Sequence, residues 1–450
     1  MNGRGQTDNK QILAAIWTIF AGVALIALGA CTAVADDDGD AAADVENTTT
    51  AEAETTEAED DPADETTETD EAAPAEDEVE DEEPRFELTG ELELTTAEIN
   101  AMIDFVEDAA GREFTRPPQI EIQSVEDFEA GLEPPPELTA AIEENAETTA
   151  RFQQALGFTV LGVDELSTEL NALSSSTDLI SGRYDPADDV VYIPEGVLEG
   201  DMFDAILVHE LLHALDGQHV DLQGLIDELT ENALAEVADD SSFSIVAVVE
   251  GRATAVQFAW MQANGVVPTQ EDIPESFSRV PAVVINDVVL PYQLGAQTIT
   301  LLGGAAETWD LYTDFPASSE QMVFPGRIGT DAPQDVPAPT ADGEVFTEGV
   351  FGAEGVLLLG IGDTLQPDQA SIIQTLGAAE GWGGDYFVLT GDEAQSCLTA
   401  AFVADTEADL TEMEALFTDW AGRETTHPTQ RSVTVDGETL TISSCAAFIS

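Results

Sequence analysis

The spacing of hydrophobic residues along the chain predicts a mainly helical protein. In six segments, apolar positions recur every three or four residues, which is the pattern of a helix with a buried face. The first helix begins at a capping box formed by Thr95 and Glu98 and ends at Gly111. The other five cover about residues 138–156, 204–215, 242–261, 290–302 and 408–421.

Strand patterns are fewer and lie between these helices. Residues 183–194 predict a strand, a turn and a second strand, and residues 431–442 predict a hairpin that turns at an Asp-Gly pair. Residues 316–325, bounded by prolines, predict a loop. No long linker and no internal repeat interrupts residues 85–450. We therefore expect one folded domain there, of α+β class, predominantly helical and with a small sheet.

The first 31 residues have the pattern of an export signal. Basic residues precede an uncharged, mostly apolar stretch at 12–30, which ends in Leu-Gly-Ala before Cys31. This ending resembles a bacterial lipobox, in which the cysteine is acylated and anchors the mature protein to the membrane. The alternative is an uncleaved transmembrane anchor, because the apolar stretch approaches the length of a membrane span. Both readings predict an extracytoplasmic protein tethered to the cell membrane.

Residues 32–84 form an acidic linker that we expect to be disordered. Half of the 48 residues from 36 to 83 are Asp or Glu, and none is Lys or Arg. Such a segment cannot bury enough apolar surface to offset the entropy cost of ordering, and its like charges repel. We interpret it as a solvated spacer in preference to a calcium-binding or cell-wall-binding segment.

The acidic excess continues into the folded domain. The chain has 92 acidic and 12 basic residues, and after Pro84 there remain 67 acids and ten arginines, a charge of about −57. This excludes nucleic acid as an expected partner, because nucleic-acid binding requires a basic surface. Since salt relieves self-repulsion of this size, the charge predicts a halophilic protein whose stability rises with salt.

Two cysteines, Cys397 and Cys445, remain after Cys31. In an exported protein we expect them to form a disulfide that joins the C-terminal strands, and two buried free thiols are the alternative. Three cysteines in all are too few for a cysteine-rich zinc fold or a disulfide-dense miniprotein.

One motif indicates chemistry: His209-Glu210-Leu211-Leu212-His213, within the helix predicted over 204–215. Residues four apart share a helix face, so the two imidazoles can bind one zinc ion. Glu210 lies beside the first histidine, where it can accept a proton from a zinc-activated water. The apolar flanks of the motif predict a partly buried site.

A catalytic zinc needs a third protein ligand, and two residues qualify. Glu250 is a lone carboxylate in the apolar helix predicted over 242–261, where a charge is costly unless it is paired or bound to metal. His219 has the spacing of the third histidine in the metzincin pattern HExxHxxGxxH, but Asp216 stands where that pattern requires glycine. We favour Glu250 and keep His219 as the alternative.

Further stretches of the sequence are similar to a known family. They are Gly182-Arg183-Tyr184-Asp185-Pro186, His209 through His219, Val249-Glu250-Gly251-Arg252-Ala253-Thr254, Pro291-Tyr292-Gln293-Leu294-Gly295, Ser318-Ser319-Glu320-Gln321 and Gly381-Trp382-Gly383-Gly384-Asp385-Tyr386. Together they resemble a poorly characterised bacterial family of predicted extracytoplasmic zinc metallopeptidases of the gluzincin type. The resemblance implies a zincin-like fold with the HExxH helix at its active site. It also implies one Zn²⁺ ion bound by His209, His213 and Glu250, and a peptide or protein substrate.

This site implies a mechanism of peptide hydrolysis. Glu210 would act as general base and then protonate the leaving amine. Tyr386, His219 and Arg252 are candidates for the donor that stabilises the oxyanion. In zincins generally, an edge strand before the zinc helix pairs with extended substrate, and residues 190–193 are expected to be that strand.

Two other functions fit the same sequence. One is a catalytically inactive lipoprotein that uses a zincin scaffold for binding, and the other is a zinc hydrolase that acts on a non-peptide substrate. The intact Glu210 argues against the first, because a purely structural zinc has no use for a general base. The remaining histidine, His427, lies in a polar stretch and is expected at the surface.

Overall fold

The structure is a computed structural model that describes residues 83–132, 136–174, 181–196, 201–233, 237–238, 240–267 and 279–450. The predicted export signal and residues 32–82 of the predicted linker lie outside these ranges. The described residues form helices and two β-sheets, which confirms the α+β class.

All six predicted helices are present, and the described residues form six more α-helices that the sequence pattern did not predict. The described α-helices are α1 (Thr96–Ala110), α2 (Val125–Leu132), α3 (Pro136–Ala155), α4 (Val163–Ser174), α5 (Asp201–Gly217), α6 (Leu222–Ala233), α7 (Ser241–Asn264), α8 (Ala282–Leu301), α9 (Ser319–Val323), α10 (Gly352–Ile361), α11 (Gln369–Glu380) and α12 (Glu407–Gly422). Helix α9 lies inside the segment predicted as a loop, so that prediction is wrong in part. Its start is capped by the Ser318 side chain, which accepts a hydrogen bond from the Gln321 amide.

The N-terminal capping box is confirmed in detail. The Thr95 hydroxyl accepts a hydrogen bond from the Glu98 amide, and the Glu98 carboxylate accepts one from the Thr95 amide. At the other end of α1, Gly111 has a φ of 64°, the left-handed conformation that ends many helices. The local sequence therefore determines both ends of this helix.

The first sheet contains β1 (Glu87–Thr89), β2 (Gln119–Gln123), β3 (Arg183–Asp185) and β4 (Val190–Pro194), in the order β1-β2-β4-β3. Strand β4 runs antiparallel to β3, as the strand–turn–strand pattern predicts, and parallel to β2. The prediction that residues 190–193 form an edge strand is wrong. They lie inside the sheet because β2, far away in sequence, occupies their other side, and β3 is the edge.

The second sheet contains β5 (Val237–Ala238), β6 (Glu344–Gly349), β7 (Trp382–Gly391), β8 (Gln395–Ala404), β9 (Thr429–Asp436) and β10 (Thr439–Ala447), in the order β5-β6-β7-β8-β10-β9. The predicted C-terminal hairpin is β9–β10, and Gly437 turns it with a φ of 67°. In the neighbouring pair, Cys445 lies directly opposite Cys397 and their sulfurs are 2.09 Å apart. The predicted disulfide is present and is compatible with an extracytoplasmic location.

None of the helices in the described part of the chain is both long and apolar enough to cross a membrane. The apolar stretch at 12–30, on which the predicted lipid or membrane anchor depends, lies outside the described residues.

Candidate metal centre

Helix α5 brings His209 and His213 together. Every residue from 205 to 216 is buried, so both sides of this helix face other parts of the protein. One helical turn apart, the two rings meet edge to face, and their Nε2 atoms are 3.0 Å apart. The residues are 1% and 0% exposed. Polar rings buried this deeply need a polar or metallic partner.

Glu250 on α7 is part of this buried group. Its Oε2 atom lies 3.3 Å from the His209 Nε2 and 3.2 Å from the His213 Nε2. A tetrahedral ion with bonds of about 2.0–2.1 Å would hold its ligand atoms about 3.4 Å apart, so the three atoms fit one ion with small adjustments. Two imidazoles and a carboxylate are a donor set typical of zinc.

Charge attraction holds these three side chains together. Burial disfavours the charged form of Glu250, but both histidines outweigh it and lower the pKa of Glu250 to about 2. Burial also works to lower the pKa of His213, and Glu250 outweighs it, so that the pKa is raised. A proton on His213 therefore balances the carboxylate, and a divalent cation would compete with that proton.

Glu210 lies next to this group, and its carboxylate is unengaged, which means that it accepts no hydrogen bond of ordinary geometry. The residue is fully buried, and neither carboxylate oxygen has a hydrogen bond of ordinary geometry. Burial raises the pKa of Glu210 by more than the nearby histidines and the Tyr184 amide lower it. A buried carboxylate that accepts no hydrogen bond of ordinary geometry is costly as a purely structural element, so its place beside two histidines suggests a chemical role.

His219 and Tyr386 lie outside this group of three. The His219 Nε2 atom is 2.9 Å from the carbonyl oxygen of Glu113. The hydroxyl of Tyr386 hydrogen-bonds Glu348 on the neighbouring strand β6. Among the described residues, the third side chain within coordinating distance of the two histidines is Glu250.

Arg252, another candidate oxyanion donor, is engaged elsewhere. Its guanidinium donates two hydrogen bonds to Asp216, from Nε to Oδ2 (2.9 Å) and from Nη2 to Oδ1 (3.0 Å). It also donates to the carbonyl of Ala305 and to the hydroxyl of Thr308. The hydroxyl of Tyr312 donates to the same Asp216 carboxylate at 2.6 Å. Asp216 thus joins α5 to α7, which explains an aspartate where the metzincin pattern has glycine.

Tyr292 on α8, which belongs to the Pro291–Gly295 stretch of the family resemblance but was given no role, is also a residue of this site. Its side chain is fully buried, and its ring is nearly parallel to that of His209, at 16° with centroids 6.5 Å apart. Its hydroxyl interacts with the nearby Glu250 carboxylate, just outside ordinary hydrogen-bond geometry. The available signal was a tyrosine in an apolar helix, because a buried phenol needs a partner for its hydroxyl.

The prediction that His427 lies at the surface is wrong. The residue is 6% exposed, and its Nε2 atom is 2.8 Å from the carbonyl oxygen of Ala447 on β10. Its polar neighbours in sequence indicated exposure, but a strand that follows later in the chain covers the ring.

A second group of carboxylates, Glu320, Asp331 and Asp405, also places oxygens within 4.8 Å of one another. Here the Nη1 atom of Arg327 lies among them, in contact with Asp331 and Asp405 and 3.4 Å from Glu320. The guanidinium already supplies positive charge at this point, so the group is an ion-pair network within the protein.

Compared with known proteins, the chain matches no protein-family model, no curated protein and no solved structure. The class that the fold defines is therefore α+β, and the site defines a buried group of two histidines and a carboxylate that could hold a metal ion. The zincin-like fold and the family resemblance stay predictions.

Proposed function

We propose that this protein is an extracytoplasmic zinc metallopeptidase with a zincin-like fold, tethered to the cell membrane. His209, His213 and Glu250 would hold one Zn²⁺ ion, and Glu210 would be the general base. Peptides or proteins would be its substrates. The tether, through acylated Cys31 or an uncleaved apolar anchor, is part of the same proposal.

The observation that carries this proposal is the pairing of three converging ligand atoms with one unengaged carboxylate. The Nε2 and Oε2 atoms of the three ligands lie 3.0–3.3 Å apart. Beside them, both oxygens of Glu210 are buried without an ordinary hydrogen bond. A structural metal site needs the three converging ligand atoms, but it has no use for the Glu210 carboxylate.

Zinc in this position would supply a Lewis acid that lowers the pKa of a water molecule and polarises a carbonyl. Glu210 would take one proton from the attacking water at its carboxylate and later deliver it to the leaving amine nitrogen. Without the ion, burial raises the pKa of Glu210, so the carboxylate holds a proton more tightly than an exposed glutamate does. The four residues are at most 2% exposed, so a substrate enters only if the chain around them moves.

The same unengaged carboxylate separates this proposal from an inactive binding lipoprotein. A zinc hydrolase that acts on a non-peptide substrate would need the same Glu210. It would therefore differ from the proposed peptidase in its substrate and not in these site residues. The antiparallel edge strand β3 favours a peptide. Among the described strands it is an edge of its sheet, which is the position where an extended chain would pair by backbone hydrogen bonds.

The test is a profile of cleavage against a mixed peptide library, together with metal analysis of the purified protein. We expect one zinc per chain and cleavage of peptide bonds. Glu210→Gln should retain the zinc and lose the activity by at least about 10²-fold. The matched control is Glu228→Gln, a change of the same kind on the exposed face of α6, which should retain both.

The three functions give different results in this experiment. A peptide pool left intact by zinc-loaded protein would contradict the peptidase. Absence of bound zinc would contradict both enzyme proposals and leave the binding lipoprotein.

A further inference from the structure

Tyr292 is a fifth buried side chain at the metal centre, and it lies beside several members of the site at once. Its ring lies nearly parallel to that of His209, and its hydroxyl lies close to the Glu250 carboxylate, just outside ordinary hydrogen-bond geometry. The charge of Glu210 also acts on the phenol. Because Tyr292 is 0% exposed, these neighbours take the place of water around its polar end.

Two glycines explain why a tyrosine on one helix reaches a glutamate on the other. A Cβ atom on Gly251 would lie 2.4 Å from the backbone carbon of Gly295, and one on Gly295 would lie 2.2 Å from the carbonyl oxygen of Ala247. No side chain fits at either position, so the backbones of α7 and α8 are in direct contact. Glu250 precedes one glycine by one residue and Tyr292 precedes the other by one helical turn, which places them together at this crossing.

The closeness of the Tyr292 hydroxyl has a consequence for the geometry of the ligand. Glu250 directs one oxygen, Oε2, at both histidines. The last torsion of a glutamate is broad and soft, so the backbone of α7 alone does not determine where that oxygen points. A donor fixed on a second helix restricts this torsion. Residues that bond to metal ligands in this way orient them and typically change metal affinity by about 10–100-fold.

We propose that Tyr292 is a positioning residue of the metal centre, which holds the Glu250 carboxylate in the orientation for binding the ion. This inference rests on the proposed function, because it assumes that Glu250 is a metal ligand. It adds to the three ligands and Glu210 a fifth residue, whose effect on the ion passes through Glu250.

Replacing the hydroxyl by hydrogen, in Tyr292→Phe, tests the proposal. Zinc affinity is measured by competition with a chromophoric chelator, and the ligand field is measured from the visible spectrum of the Co²⁺-substituted protein. We expect about 10–100-fold weaker zinc binding and a changed Co²⁺ spectrum. The matched control is Tyr312→Phe, which removes a buried hydroxyl bonded to the carboxylate of Asp216. The Tyr312→Phe protein should bind zinc with an affinity within about threefold of wild type, and its Co²⁺ spectrum should be unchanged.

A second measurement does not depend on the folding of these variants. Site-specific 3-fluorotyrosine at position 292 should shift its ¹⁹F resonance as zinc is added, until one equivalent is bound. The same label at position 312 should shift less.

The possible outcomes separate the two proposals. If wild-type protein binds zinc and cleaves peptides, but Tyr292→Phe binds zinc as tightly with the same spectrum, Tyr292 has no positioning role and the peptidase stands. Equal ¹⁹F shifts at positions 292 and 312 would also contradict the positioning role of Tyr292 and leave the peptidase proposal unaffected. If wild-type protein binds no zinc, both proposals are wrong.

Discussion

Asp216 and Arg252 form a fully buried, two-bonded ion pair between α5, which contains both histidines, and α7, which contains Glu250. The pair lies three residues after His213 and two after Glu250. It therefore fixes the spacing of the two helices close to the point where their ligands meet.

Removing one charge from this pair should destabilise the protein strongly. In Asp216→Asn the guanidinium stays buried without a counterion, and such changes cost about 3–5 kcal/mol. Urea unfolding at constant salt measures the change in the free energy of unfolding. The control is Asp419→Asn, which breaks an ion pair with Arg423 whose aspartate side chain is 57% exposed and should cost less than about 1 kcal/mol. Equal effects of the two variants would show that the buried pair does not hold the helices.

The choice between Glu250 and His219 as third ligand can be decided by metal content. Glu250→Gln should weaken zinc binding by more than the roughly 10–100-fold typical of residues outside the ligand set, because a ligand itself is lost. His219→Asn should retain one zinc, since its ring contacts the carbonyl oxygen of Glu113. Both variants are dialysed against a zinc buffer and analysed by mass spectrometry. If His219→Asn lost its zinc and Glu250→Gln kept it, His219 and not Glu250 would be the third ligand.

The sequence was informative where a feature depends on residues close together in the chain. The capping box at Thr95 and the spacing of His209 and His213 are both read within one turn of a helix. Glu250 was identified for a related reason, because an isolated charge in an apolar helix needs a partner whatever the fold. The structure then places its Oε2 atom beside both rings. Its role as a metal ligand stays a prediction.

Features that depend on residues far apart in the chain could not be predicted. The interior position of β4 depends on β2, which begins 71 residues before it. His427 is buried because β10 covers it, and Tyr292 belongs to the site because Gly251 and Gly295 let two helices touch. In each case the deciding contact involves a second segment, and no local pattern shows which segment that is.

Stability should fall as the pH rises from mildly acidic to alkaline values, and Glu320 should account for part of this. Burial, with the nearby acids Asp405 and Asp331, outweighs Arg327 and raises the pKa of Glu320 to about 8. A raised pKa means that the folded state binds this proton more tightly than the unfolded state does. The contribution is therefore present below the unfolded pKa near 4.5 and is lost as the pH rises towards 8.

Glu320→Gln removes this proton linkage. Between pH 5 and 8, the slope of unfolding free energy against pH should become flatter by up to about 1.4 kcal/mol per unit, the value for one proton. Glu228→Gln on the exposed face of α6 should keep the wild-type slope. If Glu320→Gln kept the same slope as Glu228→Gln, the prediction would be wrong, and Glu320 would be ionised throughout this pH range.

Salt should stabilise the folded domain, because its ten arginines leave most of the 67 acids without a positive partner. Raising the ionic strength from 0.1 to 1 M shortens the screening length from about 10 to 3 Å, which weakens repulsion between exposed carboxylates more than attraction within the buried pairs. We expect the midpoint of thermal unfolding to rise steadily between 0.1 and 2 M NaCl. KCl should give the same rise at equal ionic strength, and sorbitol at equal osmolality should give a smaller one. A midpoint that stays constant or falls over this range would mean that the acidic surface is not what limits stability, and the halophilic interpretation of the composition would be wrong.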